Sequence, residues 1–346
     1  TIPETVILGA GLAGASVAWH LAASGDSALV LEQGEQAGSE ASAQNAGMQR
    51  RLAHDPVERR LAVRSGTWLN ALPPDWSSLA VKRRVGGVLV AQGFEEAVDH
   101  LRQEGVQVNE IDTHTVPALA GRPQGAAWHI PDEGLLDSHA LVTGFVQGAK
   151  ARDATFVYRN VVLGIRVEGG RVVGVDTTDG FAACRRVVVA AAAWAPALVR
   201  QLGLHRPLEP LARHLLPSAA HPLSSPKHPW TWLDTEGLYA RPEGDGWLVS
   251  PCDETVFEPT SGPGSRGPVD PFWRATAHAK IEQHLPALSD IRFTGGWTGI
   301  RTFTPDRLPL MGRDPDIEGL WWATGLGGFG VTCCFAVGEA VAAWMQ

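Results

Sequence analysis

Lysine is scarce in this chain: only Lys82, Lys150, Lys227 and Lys280 stand among 29 basic residues, and 37 acidic residues bring the net charge to −8. Polyanions are held by dense basic surfaces, so nucleic acid and anionic membrane faces are disfavoured as partners. Cysteine is equally sparse. Cys184, Cys252, Cys333 and Cys334 show neither metal-ligand spacing nor a disulfide framework, so no metal site is expected and a reducing compartment is. Long uninterrupted apolar runs are missing too. The stretch 6–23 is broken by small residues and preceded by Glu4 rather than by Lys or Arg, which argues against a signal peptide and against a membrane span. The reading is a soluble, cytoplasmic protein. No repeat or low-complexity tract is present. Only two Tyr and three Met accompany thirteen Trp; the tryptophans read mainly as core, and secondarily as contacts for a planar ligand.

What is present points to an α/β chain with more than one core, since 346 residues exceed what a single small core organises. Residues 6–8 form a strand, Gly9, Gly11 and Gly14 a tight turn, an Ala-rich segment to Ser24 a helix, and 28–31 a second strand. That order opens a doubly wound sheet. A small-polar stretch, 39–47, leads into an Arg-rich helix expected to carry Arg50, Arg51, Arg59, Arg60 and Arg64. Strand 85–90 and helix 95–103 follow, then a helix from Asp137 to about Ala151 and strands at 154–158, 161–167 and 172–177. Gly169-Gly170 and Asp179-Gly180 supply their turns. Residues 186–190 read as a buried parallel strand whose end should carry ligand contacts. Pro-rich connectors at 217–229 and 258–271 flank strand-like segments at 230–240 and 247–250. The chain closes with strand 320–323, a glycine loop 325–330 and a terminal helix.

Gly9, Gly11 and Gly14 fit G-x-G-x-x-G directly after a strand, a spacing that lets backbone amides at a helix N-terminus approach a pyrophosphate. Glu32 ends the second strand, where a carboxylate can accept from both hydroxyls of an adenosine ribose. A glycine cluster that merely packs a helix is the plain alternative. The motif alone does not separate FAD from NAD.

Three further segments carry a resemblance. The run Ser42-Ala43-Gln44-Asn45-Ala46-Gly47-Met48, the run 187–194, and Gly299-Ile300-Arg301 through Thr304-Pro305-Asp306 to 325–332 resemble the D-amino-acid oxidase superfamily of FAD enzymes, which includes glycine oxidase, sarcosine oxidase and D-amino-acid dehydrogenase. The likeness extends over nearly the whole chain, including Gly134 to Asp137. It implies a Rossmann-type FAD domain beside a mainly antiparallel substrate domain. It places Gly9, Ala10, Gly11, Leu12 and Gly14 at the pyrophosphate, and Glu32 and Gln33 at the adenosine. Ala41, Ser42, Ala46, Gly47 and Met48 would run along the phosphates and flavin, Val162 would meet adenine through its backbone, and Ala191, Trp194 and Gly299 would complete the trough. Leu326, Gly327, Gly328, Phe329, Gly330, Val331 and Thr332 would bring amides and a positive helix end to the flavin, where negative charge gathers on reduction. The implied domain limits are 1–80, 134–204 and 297–346 for FAD, and 81–133 plus 205–296 for substrate.

The same resemblance makes Arg301 the clamp for a substrate carboxylate, with a salt bridge to Asp306 or Asp314 as the structural alternative. Tyr239 would line the substrate sheet, and Met48, Gln49 and Arg50 would face the substrate. His54 and His129 receive no role. Gly299 stands where some sarcosine oxidases carry a flavin-linking cysteine, so FAD is expected to be non-covalent. Ala192 replaces a usual glycine and should crowd the cofactor. Lysine is absent between Lys227 and Lys280, where sarcosine oxidases place an oxygen-activating lysine, which leaves oxidase against dehydrogenase open. The implied reaction oxidises the C–N bond of a small amino acid or N-substituted amino acid by hydride transfer to flavin N5. The rivals are a 2-hydroxy-acid oxidoreductase, a non-catalytic dinucleotide-binding protein and an NAD-linked dehydrogenase.

Overall fold

The computed structural model describes residues 3–73, 76, 79–123, 125–259 and 268–346. Strand Thr5–Leu8 is apolar apart from its first residue and wholly buried, as a central parallel strand must be when helices cover both faces. It lies inside a six-stranded sheet whose order is Leu310–Arg313, Leu320–Thr324, Arg186–Val189, Thr5–Leu8, Ala28–Leu31, Thr155–Val157. All neighbours are parallel except the first pair. Helix Leu12–Ala23 is mostly small residues apart from Trp19, and glycines on the facing helices let them lie close to it. A Cβ on Gly338 of the terminal helix would stand 2.2 Å from Ser16 Oγ, and one on Gly148 of helix Ser138–Lys150 would stand 2.5 Å from the Trp19 indole nitrogen. A three-stranded antiparallel meander spans Val162–Glu168, Arg171–Thr177 and Gly180–Ala183.

A second, nine-stranded sheet is built around Glu209–Pro217, which pairs with Trp297–Phe303, Thr255–Val256 and Gly246–Ser250. Leu238–Glu243, Trp230–Leu233, Gly87–Val90, Ala127–Ile130 and Asn109–Glu110 continue it. All its pairings are antiparallel except that of Trp230–Leu233 with Gly87–Val90. Strand Trp297–Phe303 therefore belongs to this sheet, although 297 is where the sequence reading returns the chain to the cofactor unit.

Two more differences have local causes. Arg50 and Arg51 precede the Arg-rich helix, which begins at Pro56 because the Asp55 carboxylate caps it by accepting from Val57 and Glu58 N–H. Helix Pro271–His284 was not foreseen; its signal is Asp270 as N-cap followed by proline at the first helical position. Most of the 258–271 connector, residues 260–267, lies outside the described residues. Among the described residues no helix is long and apolar enough to cross a membrane, and no group of three or more His, Cys, Asp or Glu is placed to hold a metal ion.

Candidate active site

Three cavities join end to end along the C-terminal edge of the parallel sheet. The first, about 300 Å³, is walled by Gly9, Gly11, Glu32, Gln33, Ala41, Ser42, Val162, Ala191 and Trp194 among others. A narrow middle, about 110 Å³, shares Gly11, Ala41, Ser42 and Ala192 with it and adds Leu12, Leu326, Gly330 and Val331. The third, about 320 Å³, includes Ala46, Gly47, Met48, Arg50, Arg301, Phe329 and Thr332, and shares Gly327 and Gly328 with the middle.

The first cavity has the chemistry of a dinucleotide cradle. Gly9 adopts φ +103°, and a Cβ there would approach the Ala190 carbonyl oxygen to 2.8 Å. Gly14 lines none of these three cavities; it is needed because a Cβ would stand 2.0 Å from the Gly9 carbonyl oxygen, so helix and strand could not meet. Helix Leu12–Ala23 has no side-chain cap at Gly11, and its first amide takes only Ser42 Oγ, at 2.9 Å. An uncapped N-terminus opening on a cavity is an anion site in waiting. Glu32 accepts from Ala10 N–H at 2.8 Å and Gly34 N–H at 2.7 Å, one bond to each oxygen, which leaves lone pairs for two ribose hydroxyls. Ala10 thus holds the carboxylate rather than lining the groove. At the other end the terminal helix Gly330–Met345 also begins without a side-chain cap, with Gly327–Val331 in the wall.

Arg301 reaches this junction from strand Trp297–Phe303. Its guanidinium lies against the glycine loop, where a Cβ on Gly328 would stand 2.3 Å from one terminal nitrogen. It makes no hydrogen bond or ion pair among the described residues. The alternative partners are occupied: Asp314 takes Arg206 and the Trp322 indole, and Asp306 accepts from Leu308 N–H. Burial, and then the Arg213 guanidinium, pull Arg301 down to about 10, which keeps it cationic through the neutral range. The register explains that neighbour: Arg301 pairs with Leu211 and Gly299 with Arg213, so the two arginines are diagonal on one face.

A match to the DAO family, described as FAD dependent oxidoreductase, extends from residue 4 to 344. The chain belongs to the DAO family of FAD-dependent oxidoreductases. It is 27% identical to a glycine oxidase of Bacillus licheniformis over 98% of this chain and 92% of that protein. It is 30% identical to a D-amino acid dehydrogenase of Cereibacter sphaeroides over 59% of this chain and 44% of the relative. Among solved structures, the L-proline dehydrogenase of P. horikoshii superposes with a TM-score of 0.86 over 100% of this chain and 93% of that one, at 22% identity.

The glycine cradle, Glu32 and the uncapped helix ends fit the cofactor of this DAO-family enzyme. Gly299 faces the Gln44 carbonyl oxygen, 2.2 Å from where a Cβ would stand, so the position accepts no side chain at all. Tyr239 is fully buried, its ring 5.1 Å from that of Trp232, and its hydroxyl has no partner among the described residues; it lies behind the cavity wall. Gln49 departs from expectation. The segment is extended, so 48 and 50 face the cavity while 49 and 51 face away, and Gln49 is buried beside Gly66 and Arg51 with its amide unpartnered. His54, given no role, stands at the cavity rim, 3.6 Å from Asp234 and with its ring tilted 37° to that of Phe94. Arg213, Glu254 and Trp232 were missed: strand register sets Arg213 beside Arg301, and the tertiary fold brings the other two to the same cavity. Ala192 lines the first and middle cavities and is strained as well, with φ +43°.

Proposed function

We propose that this DAO-family enzyme oxidises the C–N bond of a small amino acid or N-substituted amino acid to an imine, which water then converts to a 2-oxo acid and ammonia or an amine. FAD, when bound, supplies the acceptor for the two electrons. The chain's own work is positioning. The observation that carries the reading is Arg301: a half-buried guanidinium, unpaired among the described residues, in a cavity continuous with the dinucleotide cradle. Such a group fits a carboxylate bidentately and thereby fixes the α-carbon beside it. Met48, Phe329 and Val331 supply the apolar part of that wall. The catalytic roles of Arg301, Met48 and Arg50 and the cofactor contacts named above are part of this proposal. FAD would be held without a covalent bond through residue 299, since no side chain fits there.

The test is the visible spectrum of the FAD-loaded protein during anaerobic titration with amino acids, N-methyl amino acids and 2-hydroxy acids. Bleaching by the amines supports the reading; bleaching by hydroxy acids alone replaces it with the rival chemistry.

A further inference from the structure

The wide cavity holds two guanidinium groups without an ion pair among the described residues, one more than a single α-carboxylate requires. Of its four arginines, Arg213 and Arg307 share one carboxylate, Glu254, each at 3.0 Å by one contact. Arg301 and Arg50 have no ion pair among the described residues. Arg50 is held instead by two rings, its guanidinium carbon 4.6 Å from the Trp232 centroid and 5.2 Å from that of Phe329. Its backbone N–H donates to Thr332 Oγ1 at 3.2 Å, tying it to the start of the terminal helix. The acids in the wall are mostly committed elsewhere. Asp55 caps a helix, Asp234 faces His54, and Asp306 accepts from Leu308 N–H. Glu58 remains, beyond ion-pair distance of Arg50, with its carboxyl raised by burial. Arg213 and Arg50 both disfavour the charge on Arg301, so the three cations stand within reach of one another, and two of them, Arg50 and Arg301, have no carboxylate at ion-pair distance among the described residues. A cation resting on aromatic faces is stabilised without being neutralised, and it stays available to an incoming anion.

Resting on the reading that Arg301 takes the α-carboxylate, we propose that Arg50 binds a second carboxylate of the substrate. The preferred substrates are then dicarboxylic amines, with the second acid on the side chain or on the nitrogen. Arg213 lends the same anion a longer-range attraction while Glu254 keeps it in place.

Matched pairs test this: aspartate against alanine and glutamate against glutamine, in both enantiomers, and iminodiacetate against sarcosine. The readout is anaerobic bleaching of the FAD-loaded parent and of Arg50→Met, which keeps an apolar stem between the rings. The parent should bleach at tenfold or more lower concentration with the dicarboxylic member of at least one series, and that series locates the second acid. Arg50→Met should bring the ratio to within about twofold, and Arg50→Lys should keep part of it. Neutral members equal to their acidic partners, or a ratio unmoved in Arg50→Met, would overturn the proposal while leaving amine oxidation standing. If no amine bleaches the flavin, the amine-oxidising reading itself fails. Calorimetry with succinate and glutarate against butyrate then decides the second-carboxylate site. Tighter dicarboxylate binding that disappears in Arg50→Met supports it, and equal binding refutes it.

Discussion

Arg301 concentrates the argument at the residue scale. Truncating one partner of a desolvated, charge-assisted pair costs roughly 2 to 5 kcal/mol. Arg301→Ala is therefore expected to raise the apparent substrate constant by about thirtyfold to a few thousandfold with flavin still bound. Arg301→Lys should recover only part, because a point charge does not reproduce the planar fork. Steady-state kinetics beside a flavin absorbance ratio separate this from a structural loss. Ala192 predicts in the opposite direction. A non-glycine residue at φ +43° is strained by roughly 1 kcal/mol, so Ala192→Gly should stabilise the protein by up to about that amount and raise Tm by a degree or two. An unchanged or lower Tm would show that the strain is already relieved. Glu133 gives the pH dependence. It is fully buried, accepts Arg51 N–H at 2.5 Å, and burial pushes its carboxyl up to about 7 against the pull of Arg51, Arg50 and Lys82. The folded state then holds its proton more tightly than the unfolded chain does. Its contribution is fully present below the ordinary carboxylate range and is lost as pH rises through about 7. Whatever its absolute stability, Glu133→Gln should show a flatter fall in Tm between pH 5 and 7.5; an identical slope would exclude Glu133 as the cause.

At the scale of elements, the glycine loop 325–330 is shaped by the strand it faces as much as by a cofactor. Gly327 and Gly328 both have positive φ, and Cβ atoms on them would press on the Phe303 ring at 2.9 Å and on Arg301 at 2.3 Å. Gly328→Ala is thus expected to displace Arg301 and weaken substrate binding tenfold or more, beyond any effect on flavin retention. Equal losses in both would mean that the loop serves the cofactor alone. Elsewhere the same logic explains the helix layer. Small residues along Leu12–Ala23 and Gly338 let helices cross at near contact, so the four-residue strand Thr5–Leu8 is buried on both sides. In the second sheet a fully buried Trp230 fits only because Gly87, its register partner, has no side chain, as a Cβ there would stand 2.1 Å from the indole.

Across the whole molecule, both large sheets are assembled from distant parts of the chain. The parallel sheet takes strands from 5–31, 155–189 and 310–324, and the larger sheet from 87–130 and 209–303. We propose that these are the cofactor and substrate units, with strand Trp297–Phe303 as the crossing that carries Arg301 from one to the other. A fragment ending at residue 204 lacks strand Leu320–Thr324 and the terminal helix, and it should neither fold stably nor retain FAD. Flavin retention by that fragment, measured by fluorescence, would contradict the interleaving. What the sequence determined by itself was local and cumulative. Gly9, Gly11 and Gly14 with Glu32 announce the cradle because a tight turn, a helix start and a strand-end acid are short-range features. The continuous apolar strands announce a covered parallel sheet for the same reason. Tertiary structure decided the rest. That Arg213 stands diagonal to Arg301 is a matter of register between strands some 90 residues apart. That Gln49 turns away while Arg50 rests on Trp232 and Phe329 depends on which side of an extended segment meets the cavity. Pairing and facing are set by packing across the fold, and no spacing within one segment encodes them.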